Sequence, residues 1–264
     1  MNGPWLFGLD RCALVGMVHL EPLPGSPGWR GSMQAVLAAA RRDAEALLAG
    51  GCDALLVENM GDLPYLKGRV APETVAAAAL AAEVVARCGA PFGVQLLAAA
   101  NREALGVAVA AGACFVRAEG FAYAHVADEG WIDACAGELL RARRTLGAEV
   151  GVWADVQKKH AAHAVTADLD LGELARGAAF AGADAVVVTG LRTGHPTDPA
   201  AVRAARAAGV PVVVGSGVGP GDAGTLSREA SALIVGSALK HGGDWRRPVD
   251  PERVRAVRAA MDAG

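Results

Sequence analysis

Short β-branched apolar runs alternate along the chain with longer stretches rich in alanine, leucine and arginine. That alternation is the mark of repeated strand and helix units with a parallel sheet. Strands are predicted at 12–18, 53–58, 91–97, 113–118, 150–157, 184–189, 210–215 and 232–236. Helices are predicted between them at 32–49, 73–87, 101–111, 132–146, 171–181, 198–208 and 221–228, with a last one at 251–262.

Several helices run into the next strand through one kind of junction: Ala49-Gly50-Gly51-Cys52-Asp53-Ala54, Ala111-Gly112-Ala113 and Ala181-Gly182-Ala183-Asp184-Ala185. Glycine suits this place because the left-handed backbone that ends a helix costs it little. Eight strands followed by a terminal helix fit an α/β fold with a single (β/α)8 TIM barrel over residues 1–264. An open doubly wound sheet has a similar alternation. It prefers a Gly-x-Gly-x-x-Gly turn after its first strand, whereas this chain has Pro22-Leu23-Pro24-Gly25-Ser26-Pro27-Gly28 there.

Composition narrows the classes. The chain is 53% hydrophobic, yet charges and glycines interrupt every apolar run well short of the roughly 18 residues of a membrane span. Asn2, Gly3 and Pro4 follow Met1 without a basic segment or a small-residue cleavage pattern, so a cytoplasmic location is expected. A net charge of −3 argues against nucleic acid as a partner. The five cysteines are scattered and form no Cys-x-x-Cys pair, which indicates reduced thiols.

In a barrel the chemistry sits at the C-terminal ends of the strands. The polar residues there are His19, Glu21, Glu58, Asn59, Gln95, Arg117, Glu119, Asp155, Gln157, Lys159, Thr189, Thr193, Ser216 and Ser237. Asp155, Gln157 and Lys159 share one strand parity and are placed to face the barrel mouth together. Asp155 and Lys159 form either an acid/base pair or an ion pair of the rim. Glu58 is a candidate general base, or else a salt-bridge partner of Arg117. Glu58, Arg117, Asp155 and Lys159 are the candidate catalytic set.

Gly215-Ser216-Gly217-Val218 and Val235-Gly236-Ser237-Ala238 close the seventh and eighth strands, where many barrels bind phosphate through backbone N–H groups and a short helix. The same glycines also suit tight turns. Asp222 is expected to cap the short helix near Gly221, and Thr197 or Asp198 the helix before it. His19, Asn59, Gln95, Thr189, Gly190, Gly215, Ser216, Gly217, Gly236 and Ser237 are the candidate contacts to substrate or phosphate. His19, Glu58, Asp155, His160 and His163 are metal-ligand types on separate strands without a spacing motif, so no metal site is assigned and a divalent cation stays open.

Gly16-Met17-Val18-His19-Leu20, Val57-Glu58-Asn59-Met60-Gly61-Asp62-Leu63-Pro64-Tyr65, Val116-Arg117-Ala118-Glu119-Gly120-Phe121 and Asp155-Val156-Gln157-Lys158-Lys159-His160 resemble motifs of the BtpA (SgcQ-like) family. So do Val188-Thr189-Gly190, Gly215-Ser216-Gly217-Val218 and Val235-Gly236-Ser237-Ala238-Leu239-Lys240, and the likeness runs nearly the whole chain. The resemblance implies a ribulose-phosphate-binding type of barrel, similar in architecture to phosphoribosylanthranilate isomerase. The family is named for photosystem I biogenesis, and related members look like parts of sugar-utilisation systems. One departure is Gln95, where many members carry Asn.

The expected activity is acid/base chemistry on a small phosphorylated metabolite, a sugar phosphate or nucleotide-derived compound, of isomerase or lyase type. Two alternatives are a non-catalytic assembly or regulatory factor and a metal-dependent hydrolase. A homo-oligomer is expected only as the base rate for such enzymes.

Overall fold

A computed structural model describes residues 7–158, 161–190 and 197–264. Its eight central strands are β1 (Ala13–His19), β2 (Ala54–Glu58), β3 (Phe92–Gln95), β4 (Phe115–Ala118), β5 (Gly151–Asp155), β6 (Ala185–Val188), β7 (Val212–Val214) and β8 (Ala232–Val235). Each pairs in parallel with its neighbours in sequence, and β8 pairs with β1 to close the barrel. The outer helices are α1 (Met33–Ala49), α2 (Pro72–Ala86), α3 (Asn101–Ala111), α4 (Ala136–Thr145), α5 (Leu171–Phe180), α6 (Pro199–Ala205), α7 (Pro220–Ser227) and α8 (Pro251–Asp262). Among the described residues, no helix is long and apolar enough to cross a membrane.

The helix starts follow local chemistry. Ser32 accepts the Ala35 N–H, Asp170 and Glu173 form a reciprocal capping box, and Asp198 and Asp250 accept N–H groups of the first turns of α6 and α8. Asp222 departs from expectation: Gly219 is the cap of α7 and Asp222 lies inside its first turn. Pro220, at the first helical position, shifts the start one residue earlier. The helix expected at 132–146 also starts late. His125–Ala127 and Gly130–Ile132 form a hairpin that Ala161–Ala162 extends to a three-stranded sheet, joining the loops after β4 and β5.

Alternation along each strand divides the core in two. Outward residues such as Leu14, Val57, Val116, Val152 and Val186 pack under the helices. Inward residues such as Val15, Met17, Leu56, Val187 and Ile234 surround Phe115 and Trp153, whose rings stack at 3.8 Å in the barrel interior. Gly93 makes room for this pair, since a Cβ there would stand 2.3 Å from the Phe115 ring. Truncating a buried aromatic of this kind costs about 3–5 kcal/mol. At the N-terminal ends of the strands, Asp53 accepts the Leu14 N–H and Asp184 the Val152 N–H, each aspartate tying its strand to the one before.

Candidate functional site

The stacked aromatic pair sets the parity for everything C-terminal to it. Two residues beyond each inward apolar side chain, the same face of the strand carries His19 on β1, Glu58 on β2, Gln95 on β3, Arg117 on β4 and Asp155 on β5. His19 is in register with Glu58, and Glu58 with Gln95. Five consecutive strands therefore present one polar arc directly above the apolar filling.

Arg117 organises this arc. Its Nε and Nη2 donate to the two oxygens of Asp155 at 3.0 and 2.9 Å, and its Nη1 donates to the Gly215 carbonyl at 3.3 Å. The guanidinium is thus fixed across the mouth from β4 to the end of β7. The sequence leaves Glu58 as either a general base or a salt-bridge partner of Arg117; the bidentate partner of Arg117 is Asp155.

Glu58 is 7% exposed and its oxygens form no hydrogen bond among the described residues; His19 Nε2 approaches one of them at 3.6 Å. Burial pushes its pKa up to about 7, with Arg117 opposing and Glu119 and Asp155 reinforcing the shift. Burial and the charge of Lys240 push His19 down to about 3, so the imidazole is neutral across the physiological range. Its Nδ1 has no partner among the described residues. Gln95 is 1% exposed with both amide atoms likewise without partners.

Glu119, just past β4, accepts the Ala99 N–H at 3.0 Å and stands 3.6 Å from Lys158 Nζ. Burial raises its pKa to about 7 against the pull of Lys158. Lys158 in turn donates to Glu129, on the hairpin, at 2.8 Å. Burial works against the Lys158 charge, but Glu119 and Glu129 hold its pKa above the usual value. Beside this triad, a small pocket is lined by Tyr123, His125, Asp155, Lys158, His163 and Thr166.

The remaining anticipated residues divide by what they touch. The Ser216 hydroxyl has no partner among the described residues, and Gly217 takes φ +72°, a backbone that favours glycine. Ser237 opens the 3-10 turn Ser237–Leu239. Gly215 and Gly236 admit neighbouring side chains: a Cβ at Gly215 would meet Val187, Thr189 and Arg117, and one at Gly236 would lie 3.0 Å from His19. Thr189 donates to the Gln157 carbonyl at 2.8 Å, and Gly190 is buried beside it.

Asn59 spends its amide on architecture, accepting the Leu97 N–H and donating to Asp62 and the Leu97 carbonyl. Lys159, His160, Thr193 and His195 lie outside the described residues. Among the described residues, no group of three or more His, Cys, Asp or Glu side chains is arranged to hold a metal ion.

Two contributors carried little signal in the sequence. Lys158 stands one residue before Lys159, on the opposite parity to Asp155 and Gln157, and Glu129 belongs to a hairpin too short to show a period. A concavity of about 580 Å³ is at the other end of the barrel, between Arg11, Cys12, Arg228 and Arg258. It is remote from the arc. Glu58, Gln95 and Asp155 of the arc are buried.

A family model described as BtpA family matches residues 10–263. The chain is 42% identical over 257 residues to an uncharacterized mitochondrial protein of Caenorhabditis elegans, covering 94% of this chain and 92% of that one. It is 37% identical to the photosystem I biogenesis protein BtpA of Synechocystis, covering 95% and 88%.

Solved structures of similar shape include a tryptophan synthase chain from M. tuberculosis (TM-score 0.63, 19% identity, covering 99% of this chain and 98% of that one). Phosphoribosyl anthranilate isomerase of Thermus thermophilus gives TM-score 0.56 at 17% identity, covering 95% and 98%. Orotidine 5′-monophosphate decarboxylase of Methanocaldococcus jannaschii gives TM-score 0.54 at 12% identity, covering 96% and 100%. At these identities the likeness establishes the barrel fold.

Proposed function

The chain belongs to the BtpA family, and from that premise we propose that it is an enzyme acting on a small phosphorylated metabolite by proton transfer, as an isomerase or a lyase. The observation that carries this reading is the pair of buried carboxyls, Glu58 and Glu119, held near pKa 7 around a fixed Arg117–Asp155 pair. An acid or base works best when its pKa lies near the working pH, and a rim built for stability alone has no use for such a pair.

In this scheme Glu58 takes a proton from the substrate and returns it to a neighbouring atom. Arg117, oriented by Asp155, faces the negative charge that develops on the substrate oxygen. The neutral imidazole of His19 donates or accepts a hydrogen bond without adding charge. Lys159 completes the set as a second proton carrier.

The phosphate is assigned to the ends of β7 and β8, at Ser216, Gly217, Gly236 and Ser237, beside the start of α7. Two solved barrels of the same fold have phosphoribosyl or monophosphate compounds in their names, which supports a phosphorylated ligand. The reading includes a cytoplasmic setting, although the C. elegans relative is named as mitochondrial.

A thermal-shift panel of sugar phosphates, nucleotides and inorganic phosphate, with and without magnesium or zinc, tests the ligand class, because a ligand that binds only the folded state raises its stability. Selective stabilisation by one phosphorylated compound is expected, lost when Ser216 and Ser237 are replaced by alanine. Turnover retained in both Asp155→Asn and Lys159→Met variants rejects the catalytic assignment. A second reading, an assembly factor without catalysis, draws on the photosystem I biogenesis role in the name of the Synechocystis relative. Absence of any phosphate response favours it.

A further inference from the structure

Buried polar atoms without partners are rare in folded proteins, and here several of them gather at one end of the barrel. Gln95 on β3 offers a donor and an acceptor side by side, His19 on β1 offers Nδ1, and Ser216 follows β7 with a hydroxyl that has no partner among the described residues. These atoms have no partner among the described residues; His19 approaches the Glu58 carboxyl at 3.6 Å and Gln95 is in register with Glu58 on the next strand.

We propose that the barrel mouth receives the polyhydroxylated carbon chain of a phosphate ester, with the Gln95 amide bridging two neighbouring hydroxyls. The proposal rests on the phosphate assignment above and adds what the rest of the molecule must look like. A hydroxyl donates and accepts at once, so neighbouring hydroxyls satisfy an amide and a neutral imidazole together, while Ser216 stays with the phosphate. Adjacent strands are about 4.8 Å apart, a spacing that vicinal hydroxyls and their hydrogen bonds span.

A flat heterocyclic base is a poorer match. Phe115 and Trp153 spend one face each on the other at 3.8 Å within the apolar filling, and the Arg246 guanidinium lies over one face of Trp245 at 4.6 Å. Trp245 also meets His19 at a near-perpendicular 83°. Gln95 is then the residue that sets specificity, reading hydroxyls where Arg117 and Glu58 act on the reacting atoms.

The test is calorimetric titration of the full chain with inorganic phosphate, ribose 5-phosphate, 2-deoxyribose 5-phosphate, uridine 5′-monophosphate and free ribose. Ribose 5-phosphate is expected to bind about tenfold or more tightly than inorganic phosphate, and removal of one hydroxyl to forfeit most of that gain. Gln95→Met keeps the side-chain length and removes both hydrogen-bonding atoms. It should leave inorganic phosphate binding unchanged, abolish the preference for the sugar phosphate, and keep or raise the ligand-free Tm.

Equal affinity for inorganic phosphate and both sugar phosphates overturns the proposal while the phosphate site stands, as does an undiminished preference in Gln95→Met. Tightest binding of uridine 5′-monophosphate overturns it in favour of a base. Binding of ribose with no effect of phosphate keeps the hydroxyl assignment and defeats the phosphate one. No binding by any of the five compounds defeats both.

Discussion

The two ends of the barrel use the same kinds of residue to opposite effect. At the N-terminal end, Asp53 receives the Leu14 N–H, two nitrogens of Arg11 and one of Arg258. Burial opposes its charge, but Arg11 and Leu14 hold its carboxyl below the usual range. Asp184 receives the Val152 N–H and Arg143 in the same way. At the C-terminal end, Glu58 and Glu119 are more deeply buried and less well partnered, and both titrate near neutrality. Of these carboxyls, those with raised pKa values are the more deeply buried and less completely paired.

Arg117→Met attacks an ion pair at the C-terminal end that resembles those below. Removing one member of a buried pair costs about 3–5 kcal/mol, so a loss of that size in denaturant unfolding is expected together with loss of turnover. Arg117→Lys keeps the charge without the planar fork and should recover part of the stability but little turnover. Full activity in the lysine variant would remove bidentate orientation from the scheme.

Glu58→Gln separates the ends more sharply, because it should weaken chemistry while strengthening the fold. Replacing a general base lowers kcat by about 10²–10⁴-fold. The Glu58 carboxyl rises from its ordinary 4.5 to about 7 in the folded chain, so the folded state holds a proton that the unfolded chain has lost between those values. Stability from this group is present below pH 4.5, is lost as pH rises towards 7, and stays lost above it. At pH 8 Glu58→Gln should therefore be more stable than the wild type, on the order of 3 kcal/mol. A less stable Glu58→Gln protein at pH 8 contradicts the assignment of this carboxyl as poised.

These tests concern residues whose positions were legible in the sequence to different degrees. The eight strands and their helices are legible because alternation and the glycine junctions repeat, and the rule that barrel chemistry sits at the C-terminal strand ends then brings His19, Glu58, Gln95, Arg117 and Asp155 to one mouth. Pairing was less legible. Arg117 and Asp155 are 38 residues apart on adjacent strands, and strand parity alone does not decide which of several inward carboxyls a long side chain will reach. The hairpin at 125–132 was hidden because strands of three residues are too short to show a period, so its Glu129 and the Lys158 it receives went unnoticed. Parity also fails where a strand stops: β5 ends at Asp155. Asn59, a rim residue by position, turned out to hold one loop to another through Leu97 and Asp62.

Asp184→Asn carries the comparison to the N-terminal end, where the effect should be on folding alone. Charge-assisted hydrogen bonds contribute about 1.5–3 kcal/mol, so a loss within that range is expected with kcat/KM unchanged in the folded protein. The smallest effect belongs to an ion pair on the outer surface. Arg87 and Glu83 lie one turn apart on the α2 side at 2.9 Å, with side chains 70% and 47% exposed. Solvent screens such a pair and its side-chain ordering cancels much of the gain, so Glu83→Ala should change stability by less than about 0.5 kcal/mol and leave turnover alone. A loss in Glu83→Ala as large as that in Asp184→Asn would mean that charge pairing stabilises this barrel wherever it occurs. Burial and completeness of pairing would then not be what distinguishes its two ends.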